Sequence, residues 1–303
     1  MKTAHFYNKY GADILRLWVS SVDWQNEVPF GEDLFKQTTE PYRRFRNIFK
    51  ILLGNLNDFD AEKDGVDSSE LTTIDRWILE RLHRVIAECR GAYEAFEFRK
   101  VFNTLNQFCA NDLSALYVDI TKDRMYCDAP DSSRRRATQT VMNTVCDAMI
   151  RLLAPILAFT ADEAWEFAGH KTSVHIELFP EPDPEFAGDE ATRKVELLSQ
   201  LRDLAQVQVD AAIKENQFKK RERSSVAFTF PKDHPARELI KNELDDVLEF
   251  LMVSSISVEE DSAPEIVTSV AETDLPECPR CRRSIAVSSN HEECCERCAE
   301  VIQ

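Results

Sequence analysis

Hydrophobic side chains recur every three or four residues in four long segments, a spacing that places them on one face of a helix. The first segment is "YRRFRNIFKILLGNLNDF", with Pro41 just before it and Gly54 near its end. Pro41 should begin or bend this helix, and Gly54 is its predicted C-cap. Three further helices are predicted at about residues 74–96, 98–120 and 141–153, and a shorter one follows Pro155. Together they predict an antiparallel helical bundle over residues 30–170.

The pattern changes after Gly169. The stretch "SVHIELFPEPDPEF" is typical of a short strand followed by a proline-rich turn. A helix is predicted at about residues 192–215, and the segments after it are predicted in chain order as the strand "SSVAFTF", the helix "HPARELIKNELDDVLEFL", the strand "SSISVEE" and a further strand at "SAPEIV". The chain is therefore predicted to be mainly α, with a small α/β unit over residues 171–271.

Residues 272–303 contain two C-x-x-C pairs separated by thirteen residues. Four thiolates at about 2.3 Å satisfy the tetrahedral coordination of a structural zinc ion, and two tight turns supply them at this spacing. The predicted ligands are Cys278, Cys281, Cys295 and Cys298. His291 or Cys294 could replace Cys295, and two disulfides or free thiols are the alternative interpretation. Because all four positions would be protein ligands, the predicted zinc ribbon is structural.

Composition and charge narrow the function classes. The net charge of −17 argues against non-specific nucleic-acid binding but leaves room for local basic faces. The chain has few glycines and no Gly-rich phosphate-binding motif, so no nucleotide cradle is expected. No stretch is long and apolar enough to cross a bilayer, and no signal peptide is evident. The cysteine usage favours reduced thiols in the cytoplasm.

Three basic stretches stand out from this acidic background. They contain Arg43, Arg44, Arg46 and Lys50; Lys122 and Arg124 with Arg134, Arg135 and Arg136; and Lys214, Lys219, Lys220, Arg221 and Arg223. Clustered cations bind phosphate, and aromatic rings stack on unpaired RNA bases. The aromatic candidates are Tyr42, Phe45, Tyr126 and Phe218. The alternative is that each cationic run is the solvated face of a helix and that the aromatic residues belong to the core.

No catalytic set is recognisable. The six histidines lie far apart in the sequence, and no nucleophile motif accompanies them. Asp162 and Glu163 are adjacent on a predicted helix, where their side chains point about 100° apart. A solvated or capping role is expected for them.

Several motifs, in this order, resemble class I isoleucyl-tRNA synthetases. "YGADILRLWVSSVDW" resembles the segment after the catalytic domain. "YRRFRNIFKILLGNLNDFD", "IDRWIL", "NDLSALYVDITKDRMYCD" and "LLAPILAFTADEAWEF" resemble the helical anticodon-binding domain. The terminal cysteines resemble the C-terminal zinc ribbon of bacterial-type members. The resemblance extends over nearly the whole chain.

The resemblance implies a tRNA-binding C-terminal portion of the enzyme that attaches isoleucine to its tRNA with ATP. The H-I-G-H and K-M-S-K-S motifs are absent from the chain, so ATP chemistry is expected only in a full-length parent, and a separate N-terminal catalytic half is a possible partner. Residues 1–29 would be the remnant of the catalytic-domain junction. The expected RNA contacts are Arg43, Arg44, Arg46, Lys50, Lys122 and Arg124.

Three rival interpretations stay open at this point. The first is a free-standing RNA-binding protein without ligase activity. The second is an adaptor whose zinc ribbon docks a protein partner. The third is a non-functional gene fragment, which as an orphaned domain should expose the apolar face around Leu15 and Trp18 and aggregate.

Overall fold

The computed structural model describes residues 3–28, 31–286 and 294–302. The chain divides into two compact units. Unit 1 consists of Met1–Leu71, Asp75–Asp119 and Arg136–Asp189, and unit 2 of Thr72–Ile74, Ile120–Arg135 and Glu190–Gln303. In the described part of the chain, no helix is long and apolar enough to span a membrane.

Unit 1 is helical. Its helices are α1 (Thr3–Tyr10), α2 (Ala12–Ser21), α3 (Glu32–Asn55), α4 (Ala61–Asp64), most of α5 (Thr73–Glu94), α6 (Phe98–Gln107), most of α8 (Ser133–Leu153) and α9 (Ala158–Phe167). A π-helical stretch, Phe108–Tyr117, connects α6 to α7 (Val118–Cys127). The predicted helix over residues 98–120 is therefore three segments, because the backbone changes its hydrogen-bond period in the middle. Most of α7 belongs to unit 2.

Helix α3 runs through the proline that was expected at its start or at a bend. Pro41 lies inside the helix, and Gly54 is within its last turn. Leu56 caps the helix instead, donating its backbone N–H to the carbonyls of Leu52 and Leu53. The buried face of α3 includes Phe45, whose contacts offset the hydrogen bond that proline cannot donate.

The segment around Leu15 and Trp18 packs within unit 1. Phe6, Ile14 and Phe35 form a buried cluster, and Leu15 and Trp18 pack against it. The indole of Trp18 stacks on the ring of Phe35, with centroids 4.8 Å apart. Both side chains are half-buried by this packing, so the apolar face that a gene fragment was expected to expose is partly covered within unit 1.

Unit 2 contains the predicted small α/β arrangement. Its strands are β1 (Ser224–Phe230), β2 (Ser255–Ser262) and β3 (Val267–Glu272), and its other helices are α10 (Glu190–Lys214), α11 (Pro235–Asn242), α12 (Leu244–Leu251) and α13 (Glu296–Val301). The strand order is β2-β1-β3, with β1 parallel to β2 and antiparallel to β3. The mainly α fold with a small sheet is thus confirmed.

Three local predictions were wrong. "SVHIELF" forms a 3-10 turn at Val174–Ile176 instead of a strand. "HPARELIKNELDDVLEFL" is split at Glu243 into α11 and α12, because Glu243 leaves the helical conformation. The last strand starts only at Val267, the final residue of "SAPEIV".

Candidate functional site: a basic groove and a cysteine cluster

Helix α3 presents cations along one exposed face. Arg43, Arg46 and Lys50 are spaced by three and four residues, so they lie on the same side of the helix. All three are exposed, while Phe45 and Phe49 on the other side are buried. The amphipathic pattern that folds α3 therefore also lines up the charges.

These cations border a groove in unit 1, which we call the α3–α9 groove. Its volume is about 640 Å³. Helix α3 contributes Arg43, Arg46, Asn47, Phe49, Lys50, Leu53 and Gly54, and Asn57 follows it. Helix α9 contributes Thr160, Glu163, Ala164 and Phe167. The groove thus combines cations, side-chain amides and an aromatic ring.

The charges of the groove are only partly neutralised. Arg46 lies 3.7 Å from Glu163 across the groove, and its guanidinium is also over the ring of Tyr42 at 6.0 Å from the centroid. Within the described ranges, Arg43 and Lys50 have neither an ion pair nor a hydrogen-bonded side-chain partner. Two cations on this wall therefore remain available to an anionic ligand.

Arg44 points elsewhere. Its guanidinium donates to the Asn106 side-chain oxygen at 2.6 Å, and its other nitrogen lies 3.4 Å from Glu40. It is the half-buried member of the stretch, and these contacts connect α3 to α6. The structure brings Arg43, Arg46 and Lys50 together on the groove and leaves Arg44 out of its lining.

The α9 wall of the groove is fixed by α2. The carboxylate of Asp13 accepts hydrogen bonds from the backbone N–H of Thr160 at 2.7 Å, its hydroxyl at 2.6 Å and the N–H of Phe159 at 3.3 Å. These bonds satisfy the first-turn donors of α9, which has no local side-chain cap. One turn further along α2, Arg16 donates to the carbonyls of Pro155 and Ile156. Side chains of α2 therefore hold the junction between α8 and α9.

Phe167 is the aromatic residue that the sequence analysis missed. Its side chain is 76% exposed at the end of α9 and lines the groove. An aromatic ring that is this exposed is not packed against the protein interior, so its face is available for stacking on a base. The only sequence signal is its position in the last turn, just before Gly169, where it falls off the buried stripe.

The four aromatic residues proposed from the sequence differ in their exposure to solvent. Phe45 and Phe218 are 1% and 3% exposed, so they belong to the core, as the alternative interpretation has it, and are not available for stacking. Tyr42 is half-buried, and its hydroxyl is 3.1 Å from that of Thr160. Tyr126 is 70% exposed.

The arginines of the second basic stretch are engaged with groups of the protein itself. Arg124 is completely buried, and its guanidinium pairs with the carboxylate of Glu249, with Nε 2.9 Å from Oε2. This correction removes Arg124 from the predicted RNA contacts, because a buried and paired guanidinium cannot meet a phosphate. Lys122 is exposed two residues earlier on α7. Arg134 is bound to Asp128.

The third basic stretch belongs to unit 2 and is partly neutralised. Lys220 pairs with Glu277 at 2.9 Å, and Arg223 pairs with Glu272 at the same distance. These ion pairs lie at the surface, where each is worth little to stability. The stretch is therefore a weaker candidate for phosphate binding than α3.

The four predicted metal ligands converge in unit 2. The Sγ atoms of Cys278, Cys281, Cys295 and Cys298 all lie within 4.8 Å of one another. The Sγ atoms of Cys281 and Cys295 are 3.9 Å apart, and a tetrahedron with Zn–S bonds of about 2.3 Å has sulfurs about 3.8 Å apart. This group could hold a metal ion, and we call it the cysteine cluster.

Backbone N–H groups in the cysteine cluster stabilise the thiolate form of Cys278. Burial alone would raise the pKa of Cys278, but backbone N–H groups, first of Cys281 and Cys295, outweigh it and lower the pKa to about 6. Burial, followed by the neighbouring Cys298 and Cys281, raises the pKa of Cys295 to about 12. Four adjacent thiolates thus need a cation to stay deprotonated together, and the donor set fits a soft divalent metal.

The structure bears on the alternatives to this ligand set. The described cysteines form no disulfide. Cys294 is half-buried against the cluster but is not one of the four converging sulfurs. The alternative ligand His291 lies outside the described residues.

The carboxylates noted in the sequence have structural partners. Asp162 accepts from the hydroxyl of Ser173 at 2.7 Å and from the N–H of Val174 at 3.0 Å, which caps the turn after α9. The hydrogen bond from Ser173 is the main reason that the pKa of Asp162 lies below its usual value. Glu163 lies 3.7 Å from the guanidinium of Arg46 across the groove.

Comparison with known proteins assigns the chain to a family. Residues 75–227 match the family model described as the anticodon-binding domain of tRNA ligase. The chain belongs to this family of tRNA-ligase anticodon-binding domains. The predicted resemblance is confirmed by curated relatives that are isoleucine–tRNA ligases.

The isoleucine–tRNA ligase of Symbiobacterium thermophilum is 36% identical over 99% of this chain and 34% of its own length. That of Methylacidiphilum infernorum is 35% identical over 97% of this chain and 32% of its length. The chain thus spans about a third of the length of these relatives. A solved LeuRS ternary complex with tRNA from Agrobacterium radiobacter K84 has a TM-score of 0.48 and 16% identity, over 62% of this chain and 22% of that chain.

Proposed function

We propose that this chain is the tRNA-binding portion of an isoleucine–tRNA ligase and that the α3–α9 groove receives unpaired nucleotides of the anticodon loop of isoleucine tRNA. The observation that carries this proposal is the exposed ring of Phe167 facing unpaired cations on α3. Proteins bind single-stranded nucleic acid by combining a cationic track for phosphates with aromatic rings for bases.

Within this proposal the residues have distinct roles. Arg43, Arg46 and Lys50 contact phosphates, and Lys122 is a separate phosphate contact on α7. Asn47 and Asn57 offer amide donors and acceptors to base edges from the groove lining. Arg44 supports α3 through Asn106 instead of touching RNA.

The remaining assignments follow from the family. Residues 30–170 are the anticodon-binding domain, residues 171–271 a junction domain and residues 272–303 a zinc ribbon, with Cys278, Cys281, Cys295 and Cys298 as the ligands of a structural zinc ion. ATP-dependent attachment of isoleucine belongs to a catalytic half outside this chain, and residues 1–29 adjoin it. The protein acts in the cytoplasm, where its thiols stay reduced.

The test is filter binding of the chain to isoleucine tRNA over a series of salt concentrations. Lys50→Ala should weaken binding and reduce the slope of log affinity against log salt by about 0.7, the value for one phosphate contact on a single strand. Phe167→Ala should weaken binding by roughly 5- to 150-fold, the loss of about 1–3 kcal/mol of base stacking, with an unchanged slope.

Two matched controls come from the same helices. Lys36 is on α3 but about 21 Å from Lys50 along the axis, and Phe159 is a 70% exposed phenylalanine of α9 outside the groove lining. Lys36→Ala and Phe159→Ala should leave affinity unchanged. If both Lys50→Ala and Phe167→Ala bind isoleucine tRNA with wild-type affinity, the α3–α9 groove is not the RNA-binding site. Equal binding of unrelated tRNAs would refute the assignment to isoleucine tRNA.

A further inference from the structure

Both C-x-x-C turns of the cysteine cluster carry an arginine at the third position. Arg280 stands between Cys278 and Cys281 in "CPRC", and Arg297 stands between Cys295 and Cys298 in "CERC". Each arginine therefore takes its backbone position from two candidate metal ligands. Both side chains reach helix α7, which lies in the same unit.

Arg297 bridges two carboxylates at the end of α7. Its guanidinium lies 3.1 Å from Asp123 Oδ1 and 3.0 Å from Asp128 Oδ1. The side chains of Asp123 and Asp128 are only 17% and 4% exposed. Charge-assisted hydrogen bonds shielded from solvent in this way are stronger than the ion pairs of an open surface.

Arg280 acts on the same helix end through the backbone. It donates to the carbonyl of Cys127, the last residue of α7, and to Cys298 Sγ at 3.4 Å. The final carbonyls of a helix have no partner within it, and a cation there also opposes the negative end of the helix dipole. Arg283 adds a third contact, 3.6 Å from Asp123.

We propose that Arg280 and Arg297 couple metal binding in the cysteine cluster to the order of residues 123–132, which we call the α7–α8 corner. The ligand turns have too few apolar residues to hold their shape alone, so the metal fixes the backbone from which both arginines project. Metal loss then frees the two arginines, so Asp123 loses its contact with Arg297 and the Cys127 carbonyl loses its contact with Arg280. Arg134 still holds Asp128 at 3.0 Å, so the corner loosens without global unfolding.

Hydrogen–deuterium exchange on the full metal-loaded chain tests the coupling without RNA, so its outcome is independent of the proposed function. Removing the metal with a strong chelator should speed amide exchange in the α7–α8 corner by about tenfold. Exchange in β1 should change by less than about twofold, because β1 is held by both neighbouring strands.

Variants distinguish coupling between the metal and the α7–α8 corner from a packing role of the arginines alone. Arg297→Gln should keep one metal ion per chain, show the fast corner exchange before chelation, and respond little to the chelator. Asp123→Asn removes the negative charge and one of the two acceptor oxygens without altering the ribbon, and it should reproduce that behaviour. The matched control is Arg282→Gln: Arg282 is also next to a ligand, but its side chain is 71% exposed and pairs only with Glu277 among the described residues, so it should behave like the wild type.

Two results would overturn the proposal. The first is a chelated wild-type chain whose cluster thiols react freely while exchange in the corner stays slow. The second is an Arg297→Gln chain that still responds to chelation as the wild type does. If Arg297→Gln does not retain metal, the response of Asp123→Asn to chelation decides, because that residue lies outside the ribbon.

Discussion

Replacing Asp13 tests how α2 holds the α9 wall of the groove. The carboxylate is 6% exposed and accepts two short hydrogen bonds, both from Thr160, and a longer one from the N–H of Phe159. Loss of a helix cap costs about 0.5–2 kcal/mol, and each buried donor left without a partner costs about 1–3 kcal/mol. Since one carboxylate serves all three donors, these costs overlap, and we expect Asp13→Ala to reduce the free energy of unfolding by about 3 kcal/mol.

Urea unfolding followed by tryptophan fluorescence measures this change, because Trp165 lies on α9. Asp13→Asn retains one acceptor oxygen and should lose only about 1 kcal/mol. Asp33→Ala is the matched control, since Asp33 is 90% exposed and pairs only with Lys36 among the described residues; it should change stability by less than about 0.5 kcal/mol. A loss below about 1 kcal/mol for Asp13→Ala would show that water replaces the carboxylate and that the capping argument is wrong.

Three further predictions follow from contacts described above. Arg124→Met should destabilise the chain by about 3 kcal/mol in urea unfolding, because Glu249 stays buried with Arg134 as its one remaining ion-pair partner among the described residues. The exposed Lys122→Ala should not destabilise it, and equal stability of Arg124→Met and the wild type would contradict the buried pair. The pKa of Asp162 is lowered in the folded chain, so the ionised carboxylate contributes its full share of the folding stability above its usual pKa of 3.8, and this share is lost as the pH falls through the lower pKa of the folded state. The NMR chemical shift of the Val174 amide should follow this titration, and Asp162→Asn should abolish the pH-dependent change of that shift. Cys298→Ser should lose stoichiometric metal in elemental analysis while Cys294→Ser keeps it, and metal loss in Cys294→Ser would reassign the ligands.

The helices were predictable because burial of an apolar stripe is a local signal. The periodic residues of α3, α5 and α8 define their buried faces directly in the sequence. The cysteine cluster was predictable for a similar reason, since two short turns with fixed spacing carry the entire ligand set.

The polar contacts were not predictable from local patterns. Arg124 looks like one member of an exposed basic run, but its partner Glu249 is 125 residues away in the sequence. The role of Asp13 likewise depends on Thr160, and the exposure of Phe167 depends on where α9 ends against α3. Such roles emerge only when distant segments are brought together.

The hydrogen bonds of Asp13 also constrain the order in which the chain is made. Its partner Thr160 follows 147 residues later, so a ribosome that adds about 5–20 residues per second needs roughly 7–30 s to supply it. Helix α2 emerges long before the helix that it caps, and contacts of such high sequence separation form slowly. Its apolar residues must meanwhile be sheltered by α3, which makes the stacking of Trp18 on Phe35 an early folding contact during translation.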